Sequence, residues 1–384
     1  MTVTGRDRRR PNDQNPSRKG IRGGAALLLA ATLFLGGCSG NTNSSGPAAP
    51  LPTGQTGSIE AADLASGNCY ISDTSPCSSS ITGTNPITAL TTLVSGSTNY
   101  LYLGNGAGNI YYATVSGTNL PTPSSCSSPS ALPIQAMAVS TNALIYSTSG
   151  GVYYNSSTPP CSSLTLLASF PSSPFTLTTG LTYVDGEFVG VTSNAEYFTC
   201  RSSTCSSPQT LPSLQDTNPN ITAIASDPTY PIVYILDASA NLIYFYSVSG
   251  NSLTYLGNYS GLELNYPSGV ALFQGANPTQ NFCTSGACTF MDVTNTGNSS
   301  ITQYVVTYSS GTPPTSVYVN QFNNAYTNCD MLNSAAIAAF SSAITYPNPS
   351  VFVGEQATNY GSCMGTSSTT PYGNNVTAYK IVGE

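Results

Sequence analysis

The chain of 384 residues contains no histidine and no tryptophan. Without histidine there is no ordinary general base at neutral pH, no Ser-His-Asp relay, no Cys-His dyad, and none of the commonest metal ligand. Positive charge is almost as scarce. Seven of the nine basic residues (Arg6, Arg8, Arg9, Arg10, Arg18, Lys19 and Arg22) lie near the N-terminus, and Arg201 and Lys380 alone serve the rest. Asp7 and Asp13 belong to the same leading segment, so 14 of the 16 acidic residues face those two cations. Nucleic acid is excluded as a partner, because binding it requires Lys and Arg to neutralise phosphates. No Cys-x-x-Cys pair occurs, which with the missing histidine argues against zinc. No basic group is placed to generate a reactive thiolate. The balance of absences points away from an enzyme. Few ionisable groups also imply a fold whose charge changes little as pH falls, as suits an acidic exterior.

Long apolar runs are missing except for Gly23 to Leu35 (GGAALLLAATLFL), which follows the basic leader and is short for a permanent membrane span. It closes on Leu35-Gly36-Gly37-Cys38. This segment resembles the signal peptide and lipobox of bacterial lipoproteins, in which the cysteine receives the lipid. The resemblance implies lipidation at Cys38, and Ser39 rather than Asp after it implies sorting to the outer membrane, periplasmic or surface facing. Residues 1–37 are thus expected to be a signal peptide. Residues 38–58, rich in Gly, Pro, Ser and Asn, form a flexible tether, because such a segment cannot bury enough surface to fold. Residues 59–384 remain for the folded domain.

That domain is rich in short runs of Val, Ile, Tyr and Thr separated by Gly, Pro, Asn and Ser turns. Only Ala335 to Ala343 could be taken for a helix. The runs recur in order. An apolar strand with small residues (ITALTTLV from Ile87, IQAMAV from Ile134, ITAIASD from Ile221) is followed by a second (YLYLGN, ALIYS, IVYILD). A third is aromatic (NIYYATV, GVYYN, NLIYFYSV), and a weaker fourth follows. Six copies of roughly 53 residues predict an all-β β-propeller of six blades, with seven as the alternative. Its ring is expected to be closed by N- and C-terminal strands, the partial strand CYISD before Cys77 supplying the outer strand of the last blade. Small residues suit the crowded axis, and large aromatics the space that widens towards the rim.

Ten cysteines remain once Cys38 is assigned to lipid, and disulfides are the default in an exported chain. Four of them share a Cys-Ser-Ser core, at Cys77, Cys126, Cys161 and Cys205, each placed in the hairpin between third and fourth strands. Spacing suggests the pairs Cys69–Cys77, Cys200–Cys205, Cys283–Cys288 and Cys329–Cys363. Cys126 and Cys161 are left over; a bond between them is the open alternative, against which stands the distance between equivalent rim positions on neighbouring blades, and neither is assigned a partner.

The cadence of ITAIASD, VYILD and ANLIYFYSV resembles the repeats of NHL and YVTN (lactonase-like) extracytoplasmic propellers. Members of that group range from binding scaffolds to lactonases and lyases, so the resemblance implies a fold and leaves the activity open. The leading expectation is a non-catalytic platform, held to the membrane by its lipid, for a protein or glycan ligand and without a cofactor. The alternative is a lactonase-like or lyase-like enzyme using a divalent cation such as Ca²⁺. Asp237, Asp292 and Glu355, near the ends of second strands in three consecutive blades, are the candidate metal ligands. The competing reading makes them acceptors for the N–H groups of the turn that follows. Tyr111-Tyr112 and Tyr153-Tyr154 offer stacking faces for sugars, although one of each pair must enter the blade packing. Arg201, between Cys200 and Cys205, is expected to be solvated.

Overall fold

The structure, a computed structural model, describes residues 58–61, 87–115, 123–126, 131–156, 161, 164–276, 287–298, 300–326, 336–339, 351–354 and 376–382. Of the two units into which the chain divides, Met1–Gly37 and Cys38–Glu384, only the second contains described residues. The leader, the lipobox and Cys38 therefore lie outside them. So do Glu355, the CYISD segment, and the sulfur atoms of the pairs expected at Cys69–Cys77, Cys283–Cys288 and Cys329–Cys363. Among the described residues no helix is long and apolar enough to cross a membrane.

Strand β1 (Ser58–Ala61) comes first in the chain. The first sheet holds β2 (Ile87–Ser95), β3 (Thr98–Asn105), β4 (Ile110–Val115) and β5 (Ser124–Ser125). The second holds β6 (Ala136–Val139), β7 (Ala143–Thr148), β8 (Gly151–Ser156) and β9 (Thr165–Phe170). In the third, β10 (Thr178–Val184), β11 (Glu187–Thr192) and β12 (Glu196–Arg201) are followed by a divided outer strand, β13 (Thr204–Cys205) and β14 (Gln209–Thr210), both paired to β12. The fourth sheet is β15 (Ile221–Ser226), β16 (Ile232–Asp237), β17 (Leu242–Ser249) and β18 (Ser252–Ser260). The fifth is β19 (Pro267–Ala276), β20 (Ala287–Asn295), β21 (Ser300–Tyr308) and β22 (Val317–Tyr326). These are five blades of an all-β β-propeller, each made of consecutive antiparallel strands.

A further four-stranded sheet joins both ends of the domain: β23 (Ala336–Ala339), β24 (Val351–Gly354), β25 (Val376–Val382) and β1. Its outer rungs run from Ser58 opposite Val382 to Ala61 opposite Tyr379. Two expectations are corrected here. The strand supplied by the N-terminal side is Ser58–Ala61, upstream of CYISD, so Ser58 belongs to a strand and not to the tether. The described residues form five blades of consecutive strands where six, with seven as the alternative, were expected. The stretch that could pass for a helix contributes strand β23.

The sheets pack face against face, so a sheet such as the fourth is covered on both faces by its neighbours. That is why second and third strands read as continuous apolar runs rather than alternating ones: every residue of β16 is buried. Odd and even residues simply serve different interfaces. On β17, Tyr244 and Tyr246 enter the core shared by the third and fourth sheets, whereas Ile243 and Phe245 enter the core shared by the fourth and fifth. Inner strands crowd each other. A Cβ added at Gly180 on β10 would stand 2.8 Å from the backbone nitrogen of Ile224 on β15, so glycine is required by close approach.

The inner strands also share a bulge, which shifts register between Ile87 and Ala89, Thr178 and Gly180, Ile221 and Ala223, and Pro267 and Gly269. The extra residue is Thr88, Thr179, Thr222 or Ser268. Two of these hydroxyls reach the next blade: Thr88 donates to the Ile134 carbonyl, and Thr222 to the Pro267 carbonyl at 2.8 Å. Thr92 likewise donates to the Ala339 carbonyl of β23 at 2.6 Å. Each such bond contributes about 0.5–1.5 kcal/mol, and the series fixes the angle between successive blades.

Candidate functional site

The disulfides are structural, and one of them corrects the sequence reading. Cys200 and Cys205 face each other across β12 and β13, with Cα atoms 4.0 Å apart, as their spacing suggested. Cys126 and Cys161, left without partners, bond to each other at a Cα separation of 5.5 Å. The premise of equivalent rim positions fails because copies of Cys-Ser-Ser occupy different places. Cys205 sits at the outer hairpin, whereas Cys126 follows β5 and donates its N–H to the Ile110 carbonyl at 2.9 Å. Its structural counterpart in the third blade is Leu211, whose N–H meets the Ala195 carbonyl at 2.9 Å. Cys126 therefore fills the core between the first and second sheets, where Cys161 joins it.

Of the candidate metal ligands, Asp237 and Asp292 lie in different sheets, and Glu355 lies outside the described residues. Asp237 ends β16 and is fully buried. Its Oδ1 accepts the N–H groups of Asn220 (3.0 Å) and Ser239 (3.2 Å) and the Ser239 hydroxyl (2.7 Å). This is the turn-capping arrangement, repeated at the same place by Asn105, whose Oδ1 accepts the N–H groups of Ala107 and Asn109 at 3.0 and 2.9 Å. In the fifth blade the corresponding strand end is Asn295, which accepts the Asn265 N–H at 3.0 Å. Asp292 lies three residues inside β20 and accepts only the Gln303 amide, at 2.9 Å, across the sheet. Among the described residues no three His, Cys, Asp or Glu side chains come together as a metal site.

Asp292 is fully buried, and burial pushes its carboxyl up to about 7, against a smaller lowering by the Gln303 amide. Its Oδ2 and the Gln303 Oε1 have no partners. Two unpaired acceptors on a cross-strand pair lack one proton between them, and protonated Asp292 supplies it. Asp227, also buried, is better satisfied. It accepts N–H groups from Thr229 (2.8 Å) and Tyr230 (3.0 Å) and hydroxyls from Tyr234 (2.9 Å) and from Tyr308 of the next blade. Desolvation still outweighs these bonds and raises its carboxyl above the usual range.

The surface feature with binding character lies at the end of the blades where first strands turn into second. Between the second and third blades a cleft of about 340 Å³ is lined by Asn142, Tyr154, Tyr183, Phe188, Arg201 and Ser202, among others. Tyr154 meets Phe188 edge-on at 5.6 Å, and Tyr183 tilts against Phe188 at 4.9 Å; Tyr154 and Phe188 are buried, so Tyr183 is the ring of the three that is exposed. Arg201 is not simply solvated. Its Nη2 pairs with Glu187 Oε1 at 3.0 Å, while Glu187 is buried and its Oε2 has no partner. Arg201 stands there because Ser202 and Ser203, both at positive φ (48° and 69°), turn β12 tightly back into β13. A second cleft of about 320 Å³, between the third and fourth blades, is lined by Asp185, Asp227, Thr229 and Tyr230, and shares Tyr183 with the first.

Of the tyrosine pairs singled out in the sequence, both members of Tyr153-Tyr154 enter blade packing. Tyr153 stacks on Tyr146 at 5.0 Å, and Tyr154 reaches the opposite interface. Tyr112 packs partly into the core between the first and second sheets, while Tyr111 is half-buried. Tyr183 and the Glu187–Arg201 pair were missed, since no motif marks them; their only signal was that one of two cations outside the leader follows Cys200.

No family model matches the sequence, and no curated protein matches it. Among solved structures the chain is similar to an auxiliary nutrient binding protein from Bacteroides thetaiotaomicron, at 14% identity and a TM-score of 0.49, covering 78% of this chain and 69% of that one. It is also similar to the Cps50 (Swd1) β-propeller domain of Myceliophteria thermophila, at 10% identity and a TM-score of 0.43, covering 66% and 76%. By its own strand pairing the chain is an all-β β-propeller, and these distant likenesses bring no activity to it.

Proposed function

We propose that this protein is a lipid-anchored, extracytoplasmic propeller that binds a glycan in the cleft between its second and third blades without transforming it. The observation that carries the reading is the pairing of one exposed ring, Tyr183, backed by the buried Phe188 and Tyr154, with a carboxylate–guanidinium couple at one mouth. Ring faces accept the C–H faces of a sugar, and Asn142, Ser202 and Arg201 supply the directional donors and acceptors that hydroxyl groups require. Arg201 is balanced by Glu187, so a neutral ligand suits the site better than a strongly anionic one. Two disulfides fit an oxidising compartment. The sequence Leu35-Gly36-Gly37-Cys38 fits lipidation at Cys38 and placement in an outer membrane, facing the periplasm or the surface. The sheet of β23, β24, β25 and β1 packs between β22 and β2, which supports a closed ring of six blades with the repeat cadence of NHL and YVTN propellers.

Purified protein is to be screened against an array of neutral and acidic glycans and, separately, against solubilised envelope proteins. A neutral glycan should be retained, and Tyr183→Ala or Arg201→Gln should weaken it at least tenfold, about 1.4 kcal/mol. Capture of proteins alone, or glycan binding indifferent to both substitutions, removes the glycan reading. Cys38→Ser should move the protein from the detergent-rich to the aqueous phase on detergent partitioning, and retention with the detergent rejects the anchor.

A further inference from the structure

At the opposite end of the fourth blade, away from the clefts, a group of oxygens has more acceptors than protons. Ser239 Oγ lies 2.7 Å from Asp237 Oδ1, 2.8 Å from Asp216 Oδ2 and 3.2 Å from the Asn218 carbonyl oxygen, and it accepts the Asn220 N–H at 3.0 Å. A serine hydroxyl carries one proton, so it satisfies one of the three acceptors. At least one carboxylate oxygen then faces a lone pair. Backbone N–H groups engage Oδ1 of both aspartates, from Asn218 at 2.9 Å for Asp216 and from Asn220 and Ser239 for Asp237, which leaves Oδ2 on each carboxylate.

A separate observation bears on the same place. Asp237 is fully buried, and its Oδ2 has no hydrogen-bond partner among the described residues. An ionised carboxylate in that state is costly unless a cation compensates it. Of the two cations outside the leader, Arg201 pairs with Glu187, and Lys380 belongs to β25, a strand of another sheet.

We propose that Asp216, Asp237, the Asn218 carbonyl and the Ser239 hydroxyl form a Ca²⁺ site. Four protein oxygens of this mixture, open on one side to water, suit an ion that takes six to eight oxygen ligands in flexible geometry better than they suit Mg²⁺, which demands a tight octahedron. The ion ties the linker between β14 and β15 to the turn between β16 and β17. Tyr244 fastens the same linker from below by accepting the N–H groups of Gln215 (3.2 Å) and Asp216 (3.4 Å). This site is distinct from the candidates weighed in the sequence, since it uses Asp237 without Asp292 or Glu355, and it is independent of the cleft.

The test uses Tb³⁺ as the probe on chelator-treated protein. The chain has no tryptophan, so tyrosine excitation reports the ion, with Tyr244 as its nearest donor. Luminescence should saturate at one equivalent and be displaced by Ca²⁺ with a dissociation constant of roughly 10⁻⁴–10⁻³ M, and far less readily by Mg²⁺. Asp216→Asn, at a partly exposed position, should lower Tb³⁺ affinity at least tenfold while leaving the near-UV circular dichroism unchanged. Asp185→Asn, at the cleft end, should leave affinity as it was. Absence of a saturable signal, or a signal that survives Asp216→Asn, overturns the proposal.

Discussion

Asp292 and Gln303 make a matched pair only when the carboxyl carries a proton, because each then offers one donor and one acceptor to the other. The carboxyl of Asp292 rises from the usual carboxylate value to about 7 on folding. A group raised in this way contributes stability that is full below its unfolded value, near 4, and is lost as pH rises through about 7. Asp227, raised in the same direction, adds to the trend. The protein is therefore expected to gain stability on mild acidification, which goes further than the indifference to acid inferred from its lack of histidine. Asp292→Asn retains the acceptor for the Gln303 amide and adds a donor for its oxygen. Chemical denaturation should place this variant about 1–3 kcal/mol above the parent at pH 8 and level with it near pH 4. A difference between the two that does not change with pH contradicts this account. None of this was visible in the sequence, where Asp292 looked like a strand-end residue, because the strand boundary and not the residue type decides which role an aspartate takes.

Among the elements, the hairpin from β12 to β13 was the most legible and β5 the least. Cys200 and Cys205 flank a turn so short that their pairing follows from spacing alone. Cys126 carries the same Ser-Ser neighbours, yet its outer strand pairs with the start of β4 rather than its end, and nothing local announces that displacement. The β12–β13 turn places Ser202 and Ser203 in left-handed backbone, a conformation that favours Asn and Gly. Ser203→Gly should therefore raise stability by about 0.5–1 kcal/mol, read as a shift in the denaturation midpoint. Because Arg201 stays in place, glycan binding should be retained; loss of binding would mean that the serine itself contacts the ligand.

For the whole molecule, the architecture was readable because each blade repeats the same order: small residues inside, continuous apolar strands next, aromatics beyond. Burial on both faces makes the second and third strands apolar throughout and so conspicuous. The outer strands, half exposed and as short as two residues in β5, β13 and β14, leave little trace. Ser58, the first residue of the N-terminal outer strand SIEA, was absorbed into a Gly- and Ser-rich tether for that reason. Deleting residues 58–61 removes four cross-strand pairs from β25, each worth about 0.2–1 kcal/mol, and bares an edge. The truncated protein should melt several degrees lower and self-associate at high concentration; an unchanged melting temperature and a monomeric profile would show that β1 is dispensable.

Tyr183, half-exposed, walls both clefts at once. A rotation of its ring that widens one space narrows the other, so two guests that never touch would still feel each other through a shared partition. Were both clefts filled, the occupants would be linked through that one side chain, without movement of any blade.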